Sequence, residues 1–349
     1  MARLRVAVAM SGGTDSAYAA LWCRRRGYDP VGVTLWLTDM PTEPPGIALA
    51  RAMAERLGIP HQVIDARAEF RTAVTEYSVA EYARLRTPNP CARCNPTTKF
   101  AVMLRAARDL GATKLATGHY ARVGHAGGRW LIRRGRDPKK EQSYFLFALA
   151  QEQLAHTLFP LGGIDKHTVR VRLHEAGLTV PADESQEVCF IPRDCGVAAW
   201  LRARGINDQP GPIIGADGRE VGRHAGLAGF TIGQREGIRV PAAYPLYVLG
   251  FDRARNALLV GPNEALMQRE MTVTGLNLVA LPAWPDRFRA RVQVRYRATP
   301  APALLVREGA DRLRVRFDAP QRGLTPGQCA VVYRRSTVLG GGWIDAVAR

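Results

Sequence analysis

The chain has 349 residues, which is long for one hydrophobic core and predicts two or three domains. Apolar residues make up 46% of it and no apolar run is long enough to span a membrane, so we expect a globular protein without membrane contact. Lys and Arg outnumber Asp and Glu by 49 to 31, a formal charge of +18. This charge fits a nucleic-acid partner, with an arginine-rich composition and solvated side chains as the competing interpretation.

The start of the chain and its cysteines both favour the cytoplasm. Residues 1–5 lead directly into an apolar run, so we expect no targeting peptide. Six cysteines in a chain of this length, without a signal peptide, indicate chemistry or burial and not a disulfide scaffold.

A glycine-containing turn between a strand and a helix is the first element with a clear chemical meaning. Residues 4–9 are apolar and predict a buried strand, and residues 17–25 predict a helix; between them lies Ser-Gly-Gly-Thr-Asp-Ser at 11–16. Backbone N–H groups and the positive end of the helix dipole meet there, which predicts a phosphate site. The turn matches neither a Walker loop nor a dinucleotide fingerprint, and a capped surface turn is the alternative.

Strand and helix patterns then alternate as far as residue 119. Strands are predicted at 31–37, 61–65 and 114–119, and helices at 46–57, 69–84 and 99–110. The alternation predicts an α/β fold with a doubly wound parallel sheet, whose ligands lie beyond the carboxyl ends of its strands. We therefore expect the 11–16 turn, Leu35 and the 117–119 segment to converge on one nucleotide.

Two cysteines, Cys91 and Cys94, lie in a proline-rich segment from Thr87 to Pro96. Three prolines in ten residues predict a stiff loop with both thiols displayed, because proline interrupts a helix. By itself, a Cys-x-x-Cys pair is compatible with half a zinc site, a redox pair, part of an iron–sulfur site or two incidental thiols.

From residue 205 the pattern changes to short apolar stretches separated by turns. Hairpins are predicted around 217–218 and 255–256, and longer alternating strands at 287–297 and 313–317. The alternation predicts a small barrel whose arginine face meets RNA phosphate, with a solvated strand face as the alternative. The arginines predicted on this face are Arg287, Arg289, Arg291, Arg295 and Arg297.

Nine ordered sequence blocks resemble the tRNA-specific 2-thiouridylase (MnmA) family, a branch of the PP-loop ATP pyrophosphatases, along nearly the whole chain. Besides the 11–16 turn, these blocks lie at 87–100, 116–120, 141–146, 158–162, 184–191, 229–235, 294–297 and 325–328.

The resemblance implies a PP-loop catalytic domain with a helical tRNA-binding part at 1–204, a small β-rich domain at 205–266 and a C-terminal β-barrel at 267–349. It implies adenylation of O2 of the wobble uridine of a tRNA by ATP, and replacement of that oxygen by sulfur, with ATP and Mg²⁺ required. The implied sulfur donor is a persulfide carrier, a cysteine desulfurase or inorganic sulfide.

The resemblance also implies roles for single residues. Cys94 matches the family's nucleophile and Cys189 the cysteine that carries persulfide sulfur, with Cys91 beside them. Nucleotide contacts are implied for Ala9, Met10, Ser11, Gly12, Gly13, Thr14, Asp15, Ser16, Leu35 and Gly118, with Asp15 as the Mg²⁺ ligand. Contacts to tRNA are implied for Asn89, Pro90, Cys91, His119, Glu141, Gln142, Ser143, Arg295, Tyr296 and Gln328.

One cysteine departs from the family pattern. Better-known members carry Asp where this chain has Cys91, so that Cys91, Cys94 and Cys189 together resemble the three-cysteine 4Fe–4S site of other tRNA thiolases. We favour such a cluster over a persulfide and disulfide relay, with zinc as the third option. Cys23 and Cys329 lie in apolar settings and are predicted to be buried.

Other functions stay open at this point: another PP-loop tRNA sulfurtransferase, a small-molecule AMP-forming ligase, or a zinc-containing RNA-binding module. A small-molecule ligase would have little use for Cys94, Cys189 and a charge of +18. A zinc module predicts no conversion of ATP to AMP.

Overall fold

The structure is a computed structural model, and it describes residues 3–39, 42–179, 188–192, 195–206 and 208–348. Part of one block of the family resemblance, residues 184–187, lies outside the described residues. No helix in the described ranges is both long and apolar enough to cross a membrane.

The N-terminal part builds a five-stranded parallel sheet of order β3-β2-β1-β4-β7, which confirms the predicted α/β fold. Its strands and the hairpin between them are β1 (Arg5–Ala9), β2 (Asp29–Trp36), β3 (His61–Asp65), β4 (Lys114–Ala116), β5 (Ala121–Ala126), β6 (Arg129–Arg134) and β7 (Thr157–Leu158). The helices are α1 (Thr14–Arg25), α2 (Pro45–Arg56), α3 (Arg67–Phe70), α4 (Tyr77–Ala83), α5 (Pro90–Cys94), α6 (Phe100–Asp109), α7 (Gln151–Ala155), α8 (Lys166–Glu175) and α9 (Val197–Arg202).

Helices cover both faces of this sheet. Successive residues of its central strand, β1, therefore pack into two different apolar clusters. Val6 and Val8 of β1 share a buried cluster with residues of α1 and α2. Ala7, between them, packs in a cluster with residues of α6. A strand that is apolar on both faces is typical of a buried parallel sheet, so β1 ends at the centre of the fold with the 11–16 turn directly after it.

The Cys-x-x-Cys segment is helical, and the prediction of a stiff loop there is wrong. Pro90 occupies the first position of α5, where a missing N–H costs no hydrogen bond, and Asn89 Oδ1 caps the helix by accepting from Ala92 N–H at 3.1 Å. A π-helical stretch, Asn95–Lys99, then accommodates the next proline and leads into α6. In consequence Cys91 is exposed but Cys94 is buried, so only one of the two thiols is displayed.

The central part is a four-stranded sheet of order β10-β11-β8-β9. Its strands are β8 (Gly211–Ile214), β9 (Glu220–His224), β10 (Tyr247–Asp252) and β11 (Ala257–Gly261). Both predicted hairpins are present, β8 with β9 and β10 with β11. Their turns contain Gly218 and Asn256 at φ of 79° and 49°, the left-handed region that glycine and asparagine adopt most readily.

The C-terminal part closes into a six-stranded barrel, as predicted. Its strands are β12 (Met267–Leu278), β13 (Arg287–Gln293), β14 (Ala301–Arg307), β15 (Arg312–Arg322), β16 (Cys329–Arg334) and β17 (Thr337–Val347). The order is β12-β15-β14-β13-β16-β17, and β17 pairs back with β12. The β5–β6 hairpin extends this sheet at β17 through Arg133 and Thr337, so a hairpin of the N-terminal part is bonded to the C-terminal barrel.

The arginine face of β13 is shorter than predicted. Arg287, Arg289 and Arg291 alternate with less exposed residues, but the strand ends before Arg295 and Arg297, which lie in the turn that follows. Half-buried Arg295 donates from Nη2 to a backbone carbonyl oxygen at 3.1 Å. The prediction of five arginines on one strand face is therefore wrong for these two.

Arg86 ties the N-terminal helices to the barrel, and its removal is expected to destabilise the protein. Its guanidinium contacts Glu81 at 2.8 Å, Asp345 Oδ1 at 3.1 Å and the carbonyl oxygen of Ile344 at 3.1 Å. Arg86→Met leaves the buried Glu81 carboxylate without its nearest cation, so we expect the free energy of unfolding in urea to fall by about 2 kcal/mol. Arg253→Met, which removes an exposed arginine, is the control, and equal stability of the two variants would contradict the prediction.

Candidate active site

A cleft of about 230 Å³ opens at the carboxyl ends of β1 and β4. The structure brings the 11–16 turn and the 117–119 segment together there, as the sheet topology leads one to expect. Leu35, by contrast, packs in the buried core and does not line the cleft, so its nucleotide contact stays a prediction. The lining residues are Ala9, Met10, Ser11, Asp15, Ser16, Lys99, Met103, Thr117, Gly118, His119 and Gln142.

Two glycines permit the close backbone approach that forms this cleft. Gly12 has φ of 77°, and a Cβ there would lie 2.6 Å from Leu49 Cβ. A Cβ on Gly118 would lie 2.9 Å from the backbone carbonyl carbon of Asp15. Any side chain at either position would therefore displace the turn, which explains the glycines in structural terms.

The 11–16 turn is held by its own serines at the start of α1. Ser16 Oγ donates to the carbonyl oxygen of Gly13 at 2.8 Å and accepts from Ser11 N–H at 3.2 Å. Thr14 begins the twelve-residue helix α1, so the positive end of its dipole points to the turn. This geometry can bind an anionic phosphate group.

Asp15 is held by two donors inside the cleft. Tyr120 Oη donates to Asp15 Oδ1 at 2.8 Å, and Lys166 Nζ donates to the same oxygen at 2.7 Å. The Asp15 side chain is 33% exposed, and a carboxylate in this position fits a Mg²⁺ ion that arrives with ATP.

Lys166 is a functional candidate that the sequence reasoning missed. Its side chain is 8% exposed, and it lies at the first position of α8, where a cation opposes the helix dipole. A buried lysine at an unfavourable helix position, paired with a carboxylate of the cleft, indicates a functional role. The available signal was the placement of Lys166 directly after Asp165, whose Oδ1 caps α8 by accepting from Thr168 N–H at 2.7 Å.

His119 lines the cleft as a neutral side chain. Thr117 Oγ1 lies 2.8 Å from its Nδ1, and the ring centroids of Phe100 and Phe159 lie 5.8 and 6.0 Å from its own. Burial, with a smaller effect of the Lys99 charge, lowers the pKa of His119 to about 3. At neutral pH it can therefore form hydrogen bonds but carries no charge.

The lowered pKa of His119 predicts a loss of stability in acid. An unfolded histidine titrates near pH ~6.5 and binds a proton that the folded one refuses, so stability falls as the pH drops from about 6.5 towards 3. His119→Asn should flatten the fall in unfolding free energy between pH 7 and pH 5, measured in urea. The exposed His125→Asn is the control, and equal slopes for His119→Asn and the parent would contradict the prediction.

Three thiols lie near one another beside the cleft. Cys91 and Cys94 are one turn apart in α5, and Cys189 interacts electrostatically with both. Phe190 belongs to the apolar cluster that contains Cys94, and its ring centroid lies 5.5 Å from that of Phe70. The fold thus brings Cys189, which is distant in sequence, to the region of Cys94.

Desolvation raises the pKa of all three thiols. It is the largest cause at Cys91 and at Cys94, and at Cys189 it raises the pKa to about 12, with the neighbouring thiols adding to the effect. The positive charge of Lys99 opposes the rise at each of the three. The free thiols are therefore protonated at neutral pH and need activation before they can act as nucleophiles.

The metal hypotheses find no formed ligand set in the described ranges of the chain. There, no three His, Cys, Asp or Glu side chains are placed to hold one metal ion. Cys91, Cys94 and Cys189 are near enough to influence one another, but in this arrangement they do not form the ligand set that the predicted 4Fe–4S cluster or the zinc alternative requires.

The raised pKa of Cys189 predicts how its alkylation depends on pH. Only the thiolate reacts, so labelling by iodoacetamide should be slow at pH 8 and rise about tenfold per pH unit up to pH 10. The rate is measured by peptide mass spectrometry beside N-acetylcysteine in the same tube. A plateau in the Cys189 rate below pH 9 would contradict the prediction.

Several residues predicted to contact tRNA lie where the N-terminal part meets the barrel, while His119 and Gln142 line the first cleft. Gln328 Nε2 donates to the carbonyl oxygens of Thr87 and Pro88 at 3.1 Å each, next to Asn89 and Pro90. These contacts join the start of the cysteine helix to the barrel. The tRNA contacts themselves stay a prediction.

A second cleft, of about 290 Å³, lies at this junction. Glu141 and Tyr296 line it, while the adjacent Gln142 lines the first cleft, so the 141–143 segment connects the two. Ser143 Oγ lies 3.1 Å from Tyr333 Oη of the barrel and is buried. Three cations also line the second cleft, the half-buried Arg134 and the exposed Lys139 and Arg297.

Comparison with known proteins covers all three parts of the chain. The tRNA methyl transferase HUP domain model matches residues 4–193, its PRC-barrel domain model residues 202–262, and the aminomethyltransferase beta-barrel domain model residues 268–344.

Curated relatives are similar over nearly the full length. The tRNA-specific 2-thiouridylase MnmA of Geobacter metallireducens is 42% identical over 99% of this chain and 98% of its own. That of Heliobacterium modesticaldum is 42% identical over 97% and 92%, and that of Syntrophotalea carbinolica 43% identical over 97% and 98%. The chain belongs to the tRNA-specific 2-thiouridylase (MnmA) family.

Proposed function

We propose that this protein is a tRNA-uridine 2-sulfurtransferase that adenylates O2 of the wobble uridine with ATP and replaces that oxygen by sulfur. One observation carries the proposal. A single helical run, 90–109, lines the anion-binding cleft through Lys99 and Met103 and carries Cys91 and Cys94 one to two turns earlier. A site that activates an oxygen and a site that supplies sulfur thus adjoin.

The first step needs a cleft for ATP and a carboxylate for its metal ion. Uridine O2 attacks the α-phosphorus of ATP and pyrophosphate leaves, which turns a poor leaving oxygen into a good one. The 11–16 turn would bind phosphate, Asp15 would hold the Mg²⁺, and neutral His119 can form hydrogen bonds without repelling that ion. When bound, Mg²⁺ would supply charge neutralisation on the phosphates.

The second step uses two cysteines as a relay. The terminal sulfur of a persulfide on Cys189 bonds to C2 of the uridine, and AMP leaves with the original oxygen. The Cys94 thiolate then attacks the Cys189 sulfur, so that the uridine keeps a thiocarbonyl and a Cys94–Cys189 disulfide forms. An external dithiol must reduce this disulfide before the next turnover.

A cluster-bound sulfide is the alternative source, and metal analysis separates the two. Protein purified without oxygen should contain no stoichiometric iron under the relay, and its Cys189 peptide should carry an extra sulfur after incubation with a persulfide donor. Iron and acid-labile sulfide with absorption at about 400 nm would overturn the relay.

The second cleft supports tRNA as the substrate. An aromatic ring, Tyr296, with Arg134, Lys139 and Arg297 around it fits an unstacked loop nucleotide and its phosphates. Since tRNA is the substrate, we infer a cytoplasmic enzyme. Its sulfur donor is a persulfide carrier, a cysteine desulfurase or inorganic sulfide.

The test is thiolation of a tRNA whose wobble uridine is unmodified. With ATP, Mg²⁺, a persulfide donor and an external dithiol we expect 2-thiouridine in digests of the tRNA, together with AMP and pyrophosphate in equal amounts. The same tRNA with cytidine at that position is the control and should give none of the three products. Formation of AMP without tRNA would indicate a small-molecule ligase instead.

A further inference from the structure

We propose that Lys99 is a catalytic cation shared by the nucleotide cleft and the thiols, so that occupancy of the cleft by ATP sets the reactivity of Cys94. The inference rests on the proposed function and goes beyond it, because it names the residue that couples adenylation to the sulfur chemistry.

The position of Lys99 places it at both sites. It lines the cleft together with Asp15 and Gly118. It also ends the π-helical stretch that follows directly on Cys94, five residues along the same helical run. Its positive charge acts on the Cys94 thiol.

Among the residues that the structure describes, the side-chain ammonium of Lys99 is not paired with a carboxylate. None of the ion pairs among the residues that the structure describes includes Lys99, whereas Lys166, the other lysine at the cleft, pairs with Asp15. The charge of Lys99 favours the thiolate form of Cys91, Cys94 and Cys189. A lysine on a flexible stem can therefore serve either an anion in the cleft or a sulfur beside it.

Competition between these two anions orders the reaction. The phosphates of ATP carry more negative charge than one thiolate and hold the ammonium in the cleft while the oxygen is still being activated. Departure of pyrophosphate removes most of that charge, and the ammonium becomes available to the thiolate of Cys94. Sulfur chemistry is thereby favoured after adenylation.

The experiment measures alkylation of Cys94 by iodoacetamide at pH 8, without tRNA. Trypsin cleaves after Arg93 and so separates Cys91 from Cys94 for mass spectrometry. In the parent, α,β-methylene-ATP with Mg²⁺ at saturation should slow labelling of Cys94 about fivefold, and Lys99→Met without nucleotide should label about fivefold more slowly than the parent. Lys99→Arg should stay near the parent.

Arg105→Met is the matched control, because it removes one cation from the same helical run, in α6, where Arg105 is exposed and paired with Glu69. It should label like the parent and respond equally to the nucleotide. The proposal is wrong if Cys94 of Lys99→Met is labelled at the parent rate in the absence of nucleotide. It is also wrong if the nucleotide protects Cys94 of this variant as strongly as in the parent, since protection would then be steric. A Lys99 effect in a protein that never forms 2-thiouridine would overturn the proposed function alone.

Discussion

Cys94→Ser is expected to abolish formation of 2-thiouridine while tRNA-dependent release of pyrophosphate continues. The cleft proposed for ATP keeps its lining residues, but the proposed relay loses the thiolate that frees the sulfur from Cys189. We expect the yield of 2-thiouridine over many turnovers to fall more than about 100-fold, and the rate of pyrophosphate release in the first turnover to change less than about threefold. Nucleoside mass spectrometry and a coupled pyrophosphate assay measure the two products.

Cys195→Ser is the matched control, because Cys195 is partly exposed and lies outside the three-thiol set. It should keep both activities. A Cys94→Ser enzyme that still turns over to 2-thiouridine would show that the nucleophile is another residue. Cys91→Asp reports on the extra thiol: activity near that of the parent favours the relay, and loss of activity makes Cys91 part of the sulfur chemistry.

Lys166→Met is expected to lower pyrophosphate release more than about 100-fold and to destabilise the fold. The variant leaves Asp15 Oδ1 without its buried cation, and the free energy of unfolding should fall by about 2 kcal/mol. Urea unfolding and the pyrophosphate assay measure the two effects separately.

The double variant Lys166→Met with Asp15→Asn separates stability from function. Removal of both charges should restore most of the lost unfolding free energy, because no unpaired carboxylate is left, while pyrophosphate release stays low. If Lys166→Met alone keeps near-parent pyrophosphate release, Lys166 is only a structural partner of Asp15.

The parts of the site that could be predicted from the sequence are those whose geometry is local. The 11–16 turn is predicted by features next to it in the sequence: an apolar strand before it and a helix after it. Gly12 is required there because a Cβ would clash with the next helix. The parallel sheet follows from the alternation of strands and helices, and the topology then places the 117–119 segment beside the turn.

The predictions that the structure contradicts, and the contacts that the sequence did not predict, have different physical causes. Three prolines argued against a helix around Cys91 and Cys94, but Pro90 begins α5 and a π stretch accommodates Pro96, so the rule that proline interrupts a helix fails at these two positions. The pairing of β6 with β17 joins residues about 200 positions apart, for which no sequence periodicity gives a signal.

The roles proposed for Lys99 and Lys166 also depend on contacts between residues that are far apart in the sequence. Lys99 lies within the 87–100 block and Lys166 follows the capping Asp165, but neither signal assigns a role to the lysine itself. Their roles become visible only through tertiary contacts, with Asp15 in one case and with the cleft and Cys94 in the other. Charged residues that act across elements are, for this reason, the hardest site residues to predict from one sequence.

If ATP activates O2 of the uridine, that oxygen atom must leave the tRNA with AMP, and an isotopic label at O2 tests this. A tRNA with heavy oxygen at O2 of its wobble uridine is thiolated by the enzyme, and the released AMP is analysed by mass spectrometry. We expect one heavy oxygen in the phosphate of each AMP molecule, and we expect labelled AMP and 2-thiouridine to form in equal amounts. AMP without the label, accompanied by 2-thiouridine, would contradict adenylation at O2.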